Sequence, residues 1–336
     1  MKLIPDGTVR RKMEQMMIIN AYAKINLSLD VLGRRDDGYH YISSLMQDIG
    51  LHDIVKINKC SKIGAKYNAV HCSISKVDVY LCMNVNTIPL DENNLAIKGA
   101  KAILEAMDQR GLLDANESSH QLCYGDAVSI EIDKRLPVAA GIAGGSGNAA
   151  AAMLGINALA GSPLSLREIM TIGAEVGADV PYSLMMNANK NSEVLADLPG
   201  ISESSSAAHM TGIGDIVTPV EPIKRYIIMI NPGISVSTRD AYEAIDELKN
   251  YSDASGIFTN QLEKYTLASY PEAATLKAAM QEHLRAELVL MSGSGPTMVA
   301  YYSDEATAQS DYDSIQGADW LGAASRAWLT VTGGNN

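Results

Sequence analysis

The feature that most constrains how this 336-residue chain can fold is a run of small residues near its middle, LPVAAGIAGGSGNAAAAM at 136–153. Residues 127–137 alternate as a β-strand does, and the small residues lead into a helix that we expect to end near Gly161. Glycine lets the backbone approach a ligand closely, and the free amides at a helix N-terminus point outward together. The stretch GIAGGSGNAA, residues 141–150, is therefore predicted to bind phosphate groups, with a glycine-rich hinge packed against another helix as the alternative.

Two better-known phosphate-binding patterns do not fit this stretch. The Walker loop requires G-x-x-x-x-G-K-[ST], and no lysine lies within residues 141–150. A dinucleotide-binding fingerprint requires that a strand follow the helix. Here residues 165–177 predict a second helix, in which Ser165 is the cap and Glu168 completes a capping box.

The composition limits the class of partner. Acidic residues outnumber basic ones by 39 to 27, so the formal net charge is −12, which argues against a broad surface for nucleic acid or anionic lipid. An anionic nucleotide still fits this charge if backbone amides, a few cations and a divalent metal form a local positive site. The four cysteines contain no C-x-x-C pair, and no apolar run reaches the roughly 18 residues that span a bilayer. These features predict a cytoplasmic protein without a membrane segment.

Two charged residues in unusual surroundings are candidates for chemistry. Lys24 lies within a predicted strand, residues 17–32, where a buried ammonium group needs a carboxylate or phosphate partner. The alternative is that its side chain reaches solvent from an edge strand. Asp179, in GADVP, is interpreted as lying between the end of a helix and an extended segment. It is a candidate general base or metal ligand, with a simple helix cap as the alternative.

Two loops offer further candidate contacts. Tyr39 and His40 follow the Asp-Gly turn of RRDDGYHY and supply a flat ring and two directional nitrogen atoms, or they are solvated turn residues. MSGSGPT at 291–297 joins two apolar segments. Its small residues allow a substrate or nucleotide to approach the backbone, or they form only a tight hairpin.

The rest of the chain predicts two domains. Residues 91–107 have helical spacing with a cap at Asn93 or Asn94, and residues 225–232 read as a buried strand. We interpret four regions along the chain: a flexible extension at 1–16, an N-terminal nucleotide-binding domain at 17–186, a polar surface loop or insertion at 187–212 and a C-terminal domain at 213–336.

Taken in this order, the segments resemble the GHMP kinase superfamily. AYAKINLSLDVLGRRDDGYH matches its N-terminal motif, LPVAAGIAGGSGNAAA its ATP loop, GADVP its catalytic motif and MSGSGPT its C-terminal motif. The chain is most similar to the branch that phosphorylates the cytidine nucleotide 4-diphosphocytidyl-2-C-methyl-D-erythritol in the non-mevalonate route to isoprenoid precursors. The likeness covers roughly residues 17–303. It implies an α+β fold of two domains with the active site in the cleft between them.

The resemblance also implies a role for each matching residue. Asp179 would receive the proton of the substrate hydroxyl, and Lys24 would orient Asp179 and stabilise charge on the transferred group. The cytosine ring would lie between Tyr39 and Tyr242. The implied contacts with ATP are Asn94, Pro137, Gly141, Ala143, Gly144, Gly145, Ser146, Gly147 and Asn148, with Ser146 also the contact for Mg²⁺. The implied contacts with the substrate are Asn26, Tyr39, His40, Thr238, Tyr242 and Gly293.

Two departures from the family pattern leave alternatives open. Gly147 stands where a second Ser or Thr of the ATP loop is usual, and the polar, Ser-rich residues 187–210 replace a short glycine-rich segment. The alternatives are a GHMP kinase for another small alcohol and a nucleotide-binding relative that has lost catalysis. We expect a small-molecule substrate, no nucleic-acid partner, and a monomer or homodimer.

Overall fold

The computed structural model describes residues 16–60, 70–113, 121–138, 140–252 and 256–333. Within these ranges the chain forms a mixed sheet flanked by helices. In chain order the elements are β1 (Met16–Arg34), β2 (His40–Cys60), β3 (Val70–Ile74), β4 (Val77–Met83), α1 (Leu95–Gln109), β5 (Ala127–Asp133), α2 (Gly144–Leu159), α3 (Leu166–Gly173), α4 (Val180–Lys190), β6 (Ala207–Thr211), β7 (Ile216–Val220), β8 (Arg225–Asn231), α5 (Thr238–Leu248), β9 (Thr259–Asn260), α6 (Glu263–Ser269), α7 (Pro271–His283), β10 (Leu288–Met291), β11 (Met298–Tyr302), α8 (Glu305–Ile315) and β12 (Arg326–Thr332).

The 21-residue strand β2 organises the sheet. One of its edges pairs antiparallel with β1, and the other pairs in succession with β6, β12 and β5. From β5 the sheet continues through β4 to β3, and from β12 it continues through β8 and β11 to β10. The pairing of β12 with β2 is the single pair Thr332 and Ile49. The sheet therefore divides at this point into an N-terminal and a C-terminal half.

Strand β1 runs through the apolar cores of both halves. Alternate residues of a strand face the same side of the sheet, and in β1 the odd-numbered residues from 19 to 31 are all apolar. Ile19 and Ala21 pack with α1 to α4. Ala23, Ile25 and Leu27 lie between the halves, and Leu29 and Val31 pack with α5, α7 and α8.

The even-numbered residues of β1 from 24 to 30 form a buried polar row. Lys24, Asn26, Ser28 and Asp30 are between 1% and 6% exposed. Burying such groups costs free energy unless each has a hydrogen-bonding or charged partner. The polar face of β1 must therefore contact hydrogen-bonding or charged groups from other elements.

Several predicted boundaries are confirmed by the structure. Helix α1 begins after Asn94, whose side-chain oxygen accepts a hydrogen bond from the N–H of Ala96. Helix α3 has the predicted capping box of Ser165 and Glu168. Of the predicted extension, Met16 is the first residue of β1, and the remainder lies outside the described residues. No helix in the described ranges is both long and apolar enough to cross a membrane.

The prediction of a surface loop over residues 187–212 is wrong at both ends. Residues 187–190 complete α4, and residues 207–211 form β6 within the sheet. Asn187 and Asn191 are buried because their side-chain oxygens accept hydrogen bonds from the backbone of β1, from Tyr22 at 3.0 Å and Asn20 at 2.9 Å. Polarity alone cannot distinguish an amide that pairs with a strand edge from one in solvent. The domain boundaries themselves stay a prediction.

Two local predictions near the site also need correction. The strand predicted over 127–137 ends at Asp133. Asp179 does not precede an extended segment, because α4 begins directly after it. The Pro at position 181 misled the sequence interpretation, since proline is compatible with the first turn of a helix as well as with extended structure.

Candidate active site

The first turn of α2 forms the part of the site that the sequence assigns to phosphate. The N–H of Gly147 donates to the carbonyl oxygen of Ala143 at 2.9 Å. The amides of Gly144, Gly145 and Ser146 precede that bond and have no acceptor within the helix. Ala143 is the N-cap residue and has no side-chain oxygen with which to cap them. These amides, with the positive end of the helix dipole, are suited to an anionic group.

The amides border a cavity of about 370 Å³ that also takes in the start of α1 and the segment after β5. Within the described residues, the side-chain oxygen of Asn148 is buried beside this cavity without a hydrogen-bond partner. Such an atom favours a polar ligand. All but one of the residues predicted to contact ATP line the cavity, namely Asn94, Pro137, Gly141, Ala143, Gly144, Gly145, Ser146 and Asn148.

Gly147 is the exception, because it faces the protein interior. A Cβ atom at this position would lie 3.0 Å from the carbonyl oxygen of Tyr22 on β1. The carbonyl oxygen of Gly147 accepts a hydrogen bond from the side chain of Asn187 at 3.1 Å. Its own N–H is used within α2. A side chain at this position would therefore pack tightly against β1.

A buried lysine that the sequence analysis missed lies in the wall of the cavity. Nζ of Lys134 lies 2.5 Å from Oδ2 of Asp53, and both side chains are almost fully buried. Asp53 also accepts hydrogen bonds from the backbone N–H groups of Arg135 and Leu136. A Cβ atom at Gly144 would lie 2.9 Å from Nζ of Lys134, so the ammonium group lies against the first turn of α2. Its position directly between β5 and the glycine-rich stretch was the available sequence signal.

The structure brings the two predicted catalytic residues together. Nζ of Lys24 lies 3.6 Å from Oδ2 of Asp179 and donates a hydrogen bond to Oδ1 of Asn26 at 2.8 Å. Asn26 in turn donates to the hydroxyl of Ser44 on β2 at 2.8 Å. The backbone N–H of Lys24 donates to the carbonyl oxygen of Ile142 at 3.1 Å, which ties β1 to the phosphate-binding segment. The ammonium group thus lies between the carboxylate of Asp179 and the side-chain oxygen of Asn26.

Asp179 occupies the N-cap position of α4, yet its side chain makes no capping hydrogen bond. Its backbone is already helical, with φ −84° and ψ −7°, whereas a capping side chain normally accompanies an extended backbone. The side chain is 32% exposed. The interpretation of Asp179 as a simple cap is therefore wrong, and its carboxylate is available to a substrate.

Two glycines that were predicted as ligand contacts pack against each other. Gly141 has φ +74° and Gly293 has φ +58°, a region that glycine adopts more readily than other residues. A Cβ atom at Gly141 would lie 2.6 Å from the carbonyl oxygen of Ser292. One at Gly293 would lie 2.9 Å from the carbonyl oxygen of Gly141. The loop between β10 and β11 is thereby joined to the phosphate-binding segment.

Thr238, another predicted substrate contact, is the first residue of α5. Its hydroxyl lies 2.7 Å from the hydroxyl of Ser294, in the same loop as Gly293. The structure thus places Thr238 at the junction of α5 and that loop, and Thr238 lines neither the cavity at α2 nor the cavity at Tyr39 and Tyr242.

A second cavity of about 420 Å³ is lined by three of the predicted substrate contacts, Tyr39, His40 and Tyr242. Tyr39 is 61% exposed, whereas the rings of His40 and Tyr242 lie with their centroids 4.8 Å apart. Burial and the charge of Asp179 raise the pKa of Tyr242 to about 12, so its phenol is neutral at physiological pH. Ala178, the neighbour of Asp179 in the chain, also lines this cavity. Asp179 is thus next to a lining residue of the second cavity, and Lys24, its partner at 3.6 Å, is hydrogen-bonded to Ile142, whose neighbours Gly141 and Ala143 line the first.

Asp246 is a residue of this second cavity that the sequence analysis missed. Its Oδ1 lies 2.7 Å from Nε2 of His40 and accepts a hydrogen bond from the hydroxyl of Tyr251 at 2.9 Å, and its Oδ2 lies 3.2 Å from Arg34. Partial burial acts to raise the pKa of Asp246, but the hydrogen bonds from His40 and Tyr251 outweigh it and the pKa is lowered. The spacing of four residues from Tyr242 along α5 would have placed both on one helix face.

Two family models match the sequence. The model for the N terminal domain of the GHMP kinases matches residues 94–187, and the model for the GHMP kinases C terminal matches residues 238–319. The first match contains the phosphate-binding segment and Asp179, and the second contains Tyr242 and the loop at Gly293. The predicted superfamily is thereby confirmed.

Curated relatives match over most of their length. The 4-diphosphocytidyl-2-C-methyl-D-erythritol kinase of Alkaliphilus metalliredigens (strain QYMF) is 32% identical over 315 residues, which cover 88% of this chain and 91% of the relative. The protein with the same name from Lachnoclostridium phytofermentans is 31% identical over 309 residues, which cover 87% and 89% of the two chains.

Solved structures match the whole fold. A crystal structure of 4-(cytidine 5'-diphospho)-2C-methyl-D-erythritol kinase has a TM-score of 0.66 and 25% identity, and the match covers 95% of this chain and 100% of that one. Homoserine kinase from Cytophaga hutchinsonii, at 16% identity and a TM-score of 0.59 over 97% and 98% of the two chains, shows the fold alone. The predicted α+β architecture is confirmed, and this chain belongs to the GHMP kinase family as an ATP-dependent small-molecule kinase.

Proposed function

We propose that this kinase transfers the γ-phosphoryl group of ATP to a hydroxyl of 4-diphosphocytidyl-2-C-methyl-D-erythritol, giving the 2-phosphate in the non-mevalonate route to isoprenoid precursors. The observation that carries the proposal is one cavity lined by Tyr39, His40 and Tyr242 beside the pair of Lys24 and Asp179. Two tyrosine rings and a histidine suit a pyrimidine base, which stacks on aromatic rings and forms hydrogen bonds with an imidazole. The names of the relatives support the same substrate.

The proposed reaction assigns one task to each group. The substrate oxygen forms a bond to the γ-phosphorus of ATP, the bond from that phosphorus to the bridging oxygen breaks, and ADP leaves. The carboxylate of Asp179 takes up the hydroxyl proton. Lys24, oriented by Asn26, stabilises negative charge on the transferred group. Phosphoryl transfer needs mainly alignment and charge stabilisation, and these residues supply both.

The amides before Gly147 and the residues lining the first cavity are the proposed contacts with ATP. The helix amides bind phosphate oxygens, and Asn94 and Pro137 lie beside the nucleoside. The buried ammonium group of Lys134 adds positive charge near the first turn of α2. This local charge is what a chain of net charge −12 requires for an anionic ligand.

Magnesium fits this set of groups. Mg²⁺ usually keeps several waters and is held by one or two protein oxygens together with substrate phosphates. The described residues contain no group of three or more His, Cys, Asp or Glu side chains arranged to hold a metal alone. The hydroxyl of Ser146 borders the first cavity and is the proposed protein contact. The bound ion would neutralise charge on the phosphates.

The test is ATP consumption by the purified chain with Mg²⁺ and 4-diphosphocytidyl-2-C-methyl-D-erythritol, with homoserine and mevalonate as competing candidates. Rapid turnover with the cytidine compound alone is the expected result. Turnover with another alcohol, or none in a sample that binds ATP, would contradict the proposal. Asp197→Asn, which changes an exposed carboxylate beyond α4, is a matched control for Asp179→Asn. The cytoplasm and a monomeric or homodimeric state stay predictions.

A further inference from the structure

We propose that Asp246 is a positioning residue that makes the second cavity select cytosine over uracil. By accepting a hydrogen bond from Nε2–H of His40, it fixes the imidazole tautomer that leaves Nδ1 as an acceptor, and Nδ1 accepts a hydrogen bond from the 4-amino group of cytosine. The inference rests on the proposed function only in placing a pyrimidine base in this cavity.

The first step is the contact between the two side chains. Nε2 of His40 lies 2.7 Å from Oδ1 of Asp246, a distance typical of a strong hydrogen bond. An ionised carboxylate has no proton to donate, so Nε2 must be the donor. In a neutral imidazole a proton on Nε2 leaves a lone pair on Nδ1. The partner at one ring nitrogen thus determines the chemistry of the other.

The second step is that Asp246 is held as an acceptor. The hydroxyl of Tyr251 donates to its Oδ1 at 2.9 Å, and the guanidinium group of Arg34 lies 3.2 Å from its Oδ2. Both neighbours present hydrogen to the carboxylate and favour its ionised form, in keeping with the lowered pKa of Asp246. A protonated carboxyl, which could donate to Nε2 instead, is disfavoured.

The third step concerns the ring itself. The side chain of His40 is 11% exposed, and its ring packs on that of Tyr242 with an angle of 31° between the planes. Among the described residues, none forms a hydrogen bond with Nδ1 of His40. His40 lines the same cavity as Tyr39 and Tyr242. A base between those aromatic side chains would therefore meet a fixed ring with one unused acceptor.

The fourth step is the difference between the two pyrimidines. At position 4 cytosine carries an amino group, which donates hydrogen bonds, whereas uracil carries a carbonyl oxygen, which only accepts them. An acceptor at Nδ1 accepts a hydrogen bond from the amino group of cytosine. Opposite uracil, its lone pair would face a lone pair of the carbonyl oxygen, and the two repel. Sites built around one hydrogen bond reject analogues that cannot complete it, since a buried polar group is then left without a partner.

The first test reads the tautomer without any ligand. The ¹⁵N shifts of the imidazole nitrogens are recorded for the full chain at pH 8, and the signal of His40 is identified by its loss in His40→Gln. We expect a protonated Nε2 and an unprotonated Nδ1 in the wild type, and averaged signals in Asp246→Asn, because an amide can pair with either tautomer. Asp246→Glu should restore the wild-type pattern. A protonated Nδ1 in the wild type would overturn the inference.

The second test reads selectivity by calorimetry, using CDP and UDP as probes with the ATP site saturated by a non-hydrolysable ATP analogue. The wild type should bind CDP more tightly than UDP by roughly 10-fold or more, and Asp246→Asn should lose most of that ratio. The matched control is Asp78→Asn, which alters another carboxylate–histidine pair, with His71 at 3.2 Å, away from this cavity. It should leave the ratio unchanged.

The outcomes separate this inference from the proposed function. Equal binding of CDP and UDP by the wild type, or an unchanged ratio in Asp246→Asn, would refute the role of Asp246 while leaving the kinase reaction intact. Failure of both probes to bind would instead refute the placement of a pyrimidine in the cavity, and with it both proposals.

Discussion

The two cavities of this kinase are built in different ways. The first includes the small residues and free backbone amides at the start of α2, with the polar side chains of Lys134, Asn94 and Asn148 beside them. The second is lined mainly by long side chains, most of them from β2, α5 and the turn before β2. A backbone surface recognises phosphate, which every nucleotide carries, whereas side chains can distinguish one base from another. The difference predicts that substitutions in the two cavities fail in different ways.

The largest effect is expected at the pair of Lys24 and Asp179. Asp179→Asn keeps the shape of the side chain but removes the proton acceptor, so turnover should fall roughly 10²- to 10⁴-fold, about 3 to 5.5 kcal/mol in the barrier. ATP affinity should change little, because the carboxylate lies beside Lys24 and outside the lining of the first cavity. Steady-state kinetics and ATP binding by calorimetry measure the two quantities. An unchanged rate would remove Asp179 from the mechanism.

In the backbone-built cavity we expect a loss of stability. Gly141→Ala places a Cβ atom 2.6 Å from the carbonyl oxygen of Ser292 on a backbone with φ +74°. The free energy of unfolding should fall by about 2 to 4 kcal/mol, measured by urea denaturation. Gly111→Ala is the matched control, because Gly111 also has positive φ but nothing lies within 4 Å of its Cβ position. Equal losses in the two variants would mean that backbone strain alone, and not the close contact, sets the cost.

In the cavity built from side chains we expect a loss of affinity with less change in stability. Tyr242→Leu removes the ring that faces His40, so the dissociation constant for CDP should rise roughly 10-fold, given the usual stacking energy of about 1 to 3 kcal/mol for a base. Tyr242→Phe keeps the ring and should bind CDP nearly as well as the wild type. Fluorescence competition measures both. A matching rise in the KM for ATP would show that the two cavities do not act separately.

The smallest effect tests a residue with two tasks. Asn94 caps α1 and lines the first cavity, so Asn94→Ala should lower the free energy of unfolding by about 1 kcal/mol. Asn94→Asp preserves the cap and should restore stability. If the KM for ATP rises in both variants, Asn94 contacts the nucleotide directly. If Asn94→Asp restores both quantities, the residue acts only through the helix.

The same contrast explains what the sequence could predict. The phosphate-binding segment is continuous in the chain, and its glycine at 141 is required because a Cβ atom there would lie 2.6 Å from the carbonyl oxygen of Ser292. Its position before a helix was therefore predictable from residue type and order alone. Lys24 was singled out because a lysine within an apolar strand is unusual, whereas its pairing with Asp179 followed only from the resemblance to the family. Their distance of 3.6 Å is a property of the fold.

What the sequence did not predict depends on partners that are distant in the chain. Asp246 looked like one of many acidic residues on a polar helix, because its partner His40 is 206 positions away. Asn187 and Asn191 looked solvated, because the edge of β1 that they pair with lies more than 160 positions earlier. Asp53 and Lys134 are likewise separated by 81 positions. In each case a common polar residue has a specific role because it is buried, and a polar stretch of sequence does not show which of its residues are buried.

Strand β1 makes catalytic alignment inseparable from global folding. It carries Lys24 and Asn26 on one face, and its other face contributes to the cores of both halves of the molecule. An opening motion that frees this strand must therefore disrupt every core at once. Its amides should exchange with solvent hydrogen only as fast as the whole chain unfolds, while those of exposed turns exchange sooner. Lys24 should therefore stay in position in any fluctuation smaller than complete unfolding. Substrate binding and product release must then depend on motion of the loops around it.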